Sequence, residues 1–447
     1  MALDLDLVSD AAQEDGPKTE PKFPKIYDIE PPAALSDLQL FTKGHPVAAY
    51  KTLRESAPVF WNREDNPNGP DGPGFWSVTR YEDVRRVDLD PKTFSSQRGG
   101  INLSYGVPEV RHPLLHPATF NNIICMDQPL HMPLRREHMA YFTPVYVQEL
   151  REKVDAEIDS LLNRMADAGP VVDMVKMFST ELPLYTLSEM LGIPEIDRPR
   201  LIKWMHHLEL AADTIANQGL EGVDPTMVME FFANMQEMFD YGREALNDRR
   251  AAPRDDLLSS IANAEVDGEL LPEPYLDGSW LLIIFAGNDT TRNSLSGTMR
   301  LLSENSDQKS KLINNPALMP GMVDEALRLV SPVIYMRRTA TQDCEIAGQK
   351  IAEGEKVVMY YGSANRDESV FADAARFDIE RTNAKDHIAF GLGPHVCLGQ
   401  RIANMQLEAA YRKILARFPD VRWTGEIELA PNNFVHAISK LEISLTG

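Results

Sequence analysis

The sequence predicts a mainly α-helical fold with a small β-rich portion, and three observations carry that expectation. Helical patterning dominates from about residue 131 to 330, interrupted at Gly192–Pro194, Ala251–Pro253 and Pro272–Pro274, where Gly and Pro end helices. A final helix is expected after Cys397, because Leu398, Ile402, Met405 and Ala409 follow one another at spacings of 4, 3 and 4. Short alternating runs, Phe75–Tyr81 and the CEIAGQKI and KVVMYY stretches within 333–362, read as strands.

Taken in chain order, residues 1–35 are acidic and proline-bearing with little periodicity, and are expected to form a flexible N-terminal arm. Residues 36–447 read as one domain, with neither an internal repeat nor a cleaving linker. The 95–122 stretch is rich in Gly, Pro, Asn and Ser and is expected to be a long irregular loop with a functional reason for its length.

Composition narrows the classes. Of 447 residues, 43% are apolar and 25% charged, which suits a globular core. The balance of 45 basic against 67 acidic residues gives −22, disfavouring nucleic acid and anionic membranes as general partners. Three cysteines, Cys125, Cys344 and Cys397, are far apart, so neither a disulfide framework nor a CxxC zinc site is expected. The N-terminus lacks a signal-peptide layout, and the most apolar run, Trp280–Gly287, is too short to span a bilayer. A cytoplasmic protein without membrane contact is expected.

The stretch Phe390-Gly391-Leu392-Gly393-Pro394-His395-Val396-Cys397-Leu398-Gly399 holds the most chemistry. A cysteine before a helix meets unpaired N–H groups and a positive dipole end, both of which favour the thiolate. The glycines let the backbone pass close to a flat ligand. Alone, such a cysteine is more often buried and inert; the joint Phe, Gly, His and Cys spacing argues otherwise.

That stretch resembles the haem-binding loop of the cytochrome P-450 family, FGxGxHxCxG. The resemblance implies the cytochrome P-450 fold, haem b as cofactor, and Cys397 as the axial thiolate that pushes electron density toward O–O cleavage. Phe390, Gly391, His395 and Gly399 then belong to the cofactor site. Further stretches agree, in the expected order. IIFAGNDTTRNS resembles the oxygen-binding helix of the family: Ala286 and Gly287 would leave room for the cofactor, and Asp289 and Thr290 would supply acid and alcohol for proton delivery. Read alone, this Asp and Thr fit an ordinary helix whose Thr bonds back to a carbonyl. Glu325-x-x-Arg328 reads by itself as a surface ion pair of little worth. By resemblance it is the ExxR motif, buried with Arg381, in a structural role. His131, Arg135, Arg338 and His395 match the positions that serve the haem propionates, with Arg337 an alternative to Arg338.

By family position, Ile283, Val333, Ile334, Met336, Phe434 and Val435 are the pocket candidates, although any one of them fits a plain core equally well. The implied activity is a monooxygenase inserting one oxygen atom of O2 into a C–H bond of a small to medium hydrophobic substrate: terpenoid, alkyl-aromatic or alkane. AGNDTTRNS and SPVIYMRRTA resemble bacterial hydroxylases of alkanes, terpenes and steroid side chains. Ala437 and Glu442 stand where that group usually has Gly and Pro. The resemblance further implies a monomer that receives electrons from an iron–sulfur ferredoxin and its NAD(P)H-dependent reductase. Arg135, Arg136, Arg401, Arg412 and Lys413 are the candidate docking patch on an otherwise acidic protein. A peroxide-driven peroxygenase and a non-catalytic haem-based ligand sensor are the alternatives.

Overall fold

The structure is a computed structural model that describes residues 20–27, 29, 35–64, 72–103, 113–210, 224–266, 268–430, 432 and 434–447. Most of the expected arm, and residues 104–112 of the expected loop, lie outside the described residues. The part of the arm that is described lies against the domain: the Tyr27 hydroxyl donates to the Ala347 carbonyl at 2.7 Å, and the Ile26 amide to Gln349 Oε1 at 2.9 Å.

The first third mixes sheet and helix. α1 (Val47–Ser56) leads into β1 (Val59–Glu64) and β2 (Gly72–Val78), then α2 (Tyr81–Leu89) and β3 (Phe94–Ser95). The expected strand over 75–81 thus starts earlier and stops at Val78. Glu82 and Asp83 fall in the first turn of α2, where acidic residues favour helix. The long loop is also not wholly irregular, since Leu115–Phe120 forms a short helix, α3.

Helices then dominate, as the periodicity predicts. α4 (His131–His138) precedes α5 (Pro144–Ala168), which starts on a Thr143 side-chain cap with Pro144 in its first turn. β4 (Val171–Asp173) is followed by α6 (Glu181–Leu191), which ends on Gly192 at φ +63°, a left-handed conformation that suits glycine. α7 (Arg198–Leu210), α8 (Pro225–Ala251) and α9 (Leu257–Ala262) lead through a small hairpin, β5 (Glu265–Val266) and β6 (Glu269–Leu270), to α10 (Glu273–Glu304). This 32-residue helix crosses the main core. α3 approaches it so closely that a Cβ at Gly278 would lie 1.9 Å from the Asn121 carbonyl oxygen.

α11 (Ser306–Asn314) and α12 (Met319–Val330) complete the helical part before β7 (Tyr335–Ala340), β8 (Cys344–Ile346), β9 (Gln349–Ile351) and β10 (Lys356–Tyr360). A five-stranded sheet forms in the order β1-β2-β10-β7-β3, with β2 and β10 parallel and the other pairs antiparallel. A short helix, α13 (Tyr361–Ala364), follows β10 directly. The predicted last helix is α14 (Gln400–Arg417), which buries Ile402, Met405 and Ala409 as the spacing requires, while Leu398 falls in the turn ahead of it. β11 (Arg422–Leu429) pairs with β12 (Ile438–Ser444), and β12 with β4, in a second sheet.

Candidate active site

The loop between α13 and α14 brings Cys397 to the wall of a cavity that α10 closes from the other side; Phe390, Gly391, His395, Cys397 and Gly399 line it opposite Ala286, Gly287 and Thr290. The loop is built by two left-handed glycines, Gly391 at φ +67° and Gly393 at φ +64°. A Cβ at Gly393 would also come within 2.8 Å of the Asp88 carbonyl oxygen. The Cys397 amide closes the turn by donating to the Phe390 carbonyl at 2.9 Å.

Burial pushes the Cys397 thiol up, while the amides of Gly399 and Gln400 and the Arg135 guanidinium pull it down. The helix-start effect expected from the sequence is therefore present, but burial outweighs it. Stabilising the thiolate takes a cation on the sulfur, the condition a metal ion supplies.

Around the sulfur, the expected donors converge in part. Arg135 lines the cavity and donates to the Val396 carbonyl. Strand alternation separates the two arginines of β7: Met336 and Arg338 face the cavity, while Arg337 is turned away and donates to the Asn102 carbonyl. Arg338 is thus the one that can meet a propionate. His131 is not part of the cavity wall; it stacks on His395 with ring centroids 4.2 Å apart, and its Nε2 is buried without a hydrogen-bond partner. Burial pushes His395 down to about 2 and His131 down to about 4, with nearby arginines adding to both shifts. At neutral pH both rings are uncharged and offer one N–H each rather than a positive charge.

On α10, Ala286 and Gly287 open directly to the cavity. The Thr290 hydroxyl donates to the Ala286 carbonyl at 3.0 Å, the plain helical reading of that residue. Asp289 departs from expectation: it is not part of the cavity wall, and its carboxylate instead pairs with Arg292 Nη2 at 2.8 Å in a buried i,i+3 contact. Helical geometry explains the split, since adjacent residues differ by about 100° around the axis.

The pocket candidates divide too. Ile283, Val333 and Met336 line the cavity. Ile334, Phe434 and Val435 do not. Ile334 is fully buried in a sheet-side core with Tyr335, and its amide donates to the Phe434 carbonyl at 2.8 Å. The Phe434 ring rests on Tyr335, and Val435 pairs with Val333 through an isolated antiparallel bridge. These three form a second row that backs the wall.

Glu325 and Arg328 are wholly buried, unlike the surface pair that the four residues alone suggest. Arg328 donates to both carboxylate oxygens at 2.7 and 2.8 Å, and Arg381 Nε approaches them at 3.0 and 3.1 Å. Both arginines also donate to backbone carbonyls of the chain ahead of the cysteine loop, Asn365 and Ala374 for Arg328, Ala372 and Asp373 for Arg381. In the docking patch, Arg136 and Arg412 are exposed, whereas Lys413 is tied to Asp159 at 2.7 Å.

Sequence reasoning missed Asp88, Tyr361 and Ser96. Asp88 and Tyr361 line the cavity, and Ser96 Oγ lies 3.2 Å from His395 Nε2. Asp88 left one legible sign. Tyr81, Val84, Val87 and Asp88 form the buried face of α2, so a charged residue stands at an apolar helical position.

A single thiol at a helix start, donors for two carboxylates and an open helix wall opposite suit a flat, iron-centred, dianionic cofactor; the residues define a haem-thiolate site. A family model described as Cytochrome P450 matches residues 121–426. Linalool 8-monooxygenase of Pseudomonas putida is 34% identical, over 92% of this chain and 98% of its own length. Methyl-branched lipid omega-hydroxylase of Mycobacterium tuberculosis is 35% identical, over 95% and 96%. The solved structure of a Mycobacterium marinum cytochrome P450 in complex with pseudoionone superposes with a TM-score of 0.81 at 32% identity, covering 94% of this chain and 99% of the other. The chain belongs to the cytochrome P450 family and is a monooxygenase that uses haem b with an axial cysteine thiolate. Among the described residues, no helix is long and apolar enough to cross a membrane.

Proposed function

We propose that this monooxygenase hydroxylates a C–H bond of a small to medium hydrophobic molecule, terpenoid, alkyl-aromatic or alkane, with electrons from a ferredoxin and its NAD(P)H-dependent reductase. The observation that carries the substrate class is the apolar stretch of wall made by Ile123, Leu282, Ile283, Ala286, Val333 and Met336 across from the cysteine loop. Relatives named for linalool and for methyl-branched lipids support the same class.

Bound haem supplies the redox centre at which O2 is activated. The chain does the rest. Cys397 Sγ would hold the iron, with the Gly399 and Gln400 amides directed at the sulfur. Arg135, Arg338 and His395, on the cavity wall, would take the propionates, with His131 stacked behind His395. The apolar wall orients the substrate and keeps water from the reacting carbon. One O2, one C–H, two electrons and two protons give one alcohol and one water. The Thr290 hydroxyl, on the wall, hands on protons by giving up its bond to the Ala286 carbonyl, and Asp289 replenishes them after its carboxylate has left Arg292 and taken up a proton from water.

Asp289→Asn is expected to lower kcat about 100-fold, the scale of a lost proton donor. Substrate binding, read from the spin-state change of the haem spectrum, should stay within about twofold of wild type, because Asp289 is off the cavity wall. A kcat within twofold of wild type contradicts the assigned role.

The donor reading rests on exposed Arg136 and Arg412. Charge reversal at both, Arg136→Glu with Arg412→Glu, is expected to slow ferredoxin-driven reduction about tenfold at low salt, and less as salt rises. Unchanged rates count against this surface. Product formed with hydrogen peroxide alone, and none with ferredoxin and NADH, moves the reading to a peroxygenase.

A further inference from the structure

Asp88 is the charged group that the reaction scheme leaves unused. It sits at the last turn of α2, its side chain only 1% exposed, on the wall of the cavity that holds Cys397. Three donors from three separate elements converge on its carboxylate. Arg338 Nη2 on β7 donates to Oδ1 at 3.2 Å. The Tyr361 hydroxyl at the start of α13 donates to Oδ2 at 3.0 Å. The Leu392 amide, in the cysteine loop itself, donates to the same oxygen at 3.1 Å.

This arrangement accepts a carboxylate rather than a carboxylic acid. Arg338 and the Leu392 amide can only donate, and between them they engage both oxygens, so an acid proton could be placed only by turning the Tyr361 hydroxyl from donor to acceptor. Burial pushes the carboxyl up, and the same three partners pull it only part of the way back.

We infer that Asp88 is a positioning residue for the haem: it divides Arg338 between itself and a propionate, pins the cysteine loop through Leu392, and sets a fixed negative charge beside the cofactor. The inference rests on haem occupying the Cys397 cavity, as argued above. Among the described residues Arg338 is the cation paired with Asp88, and its other observed bond, Nη1 to the Arg337 carbonyl at 2.9 Å, only orients it. The Asp88 charge therefore stays incompletely neutralised in a poorly screened setting, where it favours the ferric over the ferrous state. Electron entry is held back by a residue that touches neither iron nor substrate.

The test uses the haem-loaded enzyme and a spectroelectrochemical titration of the ferric/ferrous couple. Asp88→Asn removes the charge at nearly constant shape. Asp88→Ser removes it while keeping an oxygen that can accept from the loop. Each is expected to shift the midpoint positive, read as a several-fold higher ferrous-to-ferric ratio at a fixed applied potential. Tyr361→Phe leaves the charge in place and should not reproduce the positive shift. The carbon monoxide spectrum of each variant reports separately on the thiolate, so failure of haem-thiolate binding in the wild type is distinguishable from failure of this inference. A midpoint unchanged or shifted negative in the Asp88 variants overturns it. A positive shift with Tyr361→Phe equal to that with Asp88→Asn does the same, as does loss of haem from both Asp88 variants in folded protein. Those are the results a mere packing support would give.

Discussion

Glu325→Ala is expected to destabilise the protein by about 3–5 kcal/mol, enough to consume much of a typical folding free energy. The cost does not come from the lost attraction alone. Glu325 is fully buried between Arg328 and Arg381, and its removal strands the Arg328 guanidinium in a place that water cannot reach and takes the carboxylate from the less deeply buried Arg381. Glu325→Gln should behave almost as badly, since it keeps the volume and loses the charge. Unfolding followed in urea, with haem absorbance and circular dichroism read together, measures the effect. The haem signal should be lost at the lower denaturant concentration, because the arginines also hold the Asn365, Ala372, Asp373 and Ala374 carbonyls ahead of the cysteine loop. A midpoint within experimental error of wild type contradicts this account of the triad.

Replacing the pair by apolar residues does not rescue it, although buried ion pairs elsewhere often tolerate such exchange. Here the arginines satisfy backbone carbonyls as well as the carboxylate. An apolar side chain leaves those acceptors bare, at about 1–3 kcal/mol each when buried.

Legibility in the sequence followed the range of the physics. Helix ends at Gly192, Ala251 and Pro272, and the buried face of α14, are set by local backbone preference and periodicity, so they were readable residue by residue. The cysteine loop was readable because its constraints are local too: two left-handed glycines and a cysteine ahead of a helix. Strand alternation alone could have separated Arg338 from Arg337, had the face of β7 been known. It was not, because pairing with β10 and β3 involves distant parts of the chain.

What escaped was set by tertiary packing. Ile334, Phe434 and Val435 look as suited to a pocket as Val333 and Met336; only the Val333–Val435 bridge decides which row meets the cavity. Asp289 and Thr290 are neighbours in sequence and diverge in space, one to Arg292 and one to the wall. The Glu325–Arg328 spacing gives no hint of burial, which depends on Arg381 arriving from 53 residues after Arg328. Asp88 is the opposite case, a residue whose oddity showed in the helical pattern of α2 but whose partners did not.

The bond between Cys397 and haem iron underlies both the cofactor site and the activity, and Cys397→Ser tests it with the least change of shape. A serine hydroxyl stays protonated where a metal-bound thiol ionises, so the anionic, electron-rich ligand is lost while the loop geometry is kept. The deciding measurement is the carbon monoxide difference spectrum of the reduced variant beside wild type, at matched haem content. The red-shifted band of a thiolate-ligated haem should be present in wild type and absent from the variant, with ferredoxin-driven hydroxylation lost alongside it. A variant that keeps both the band and the turnover would show that another group holds the iron.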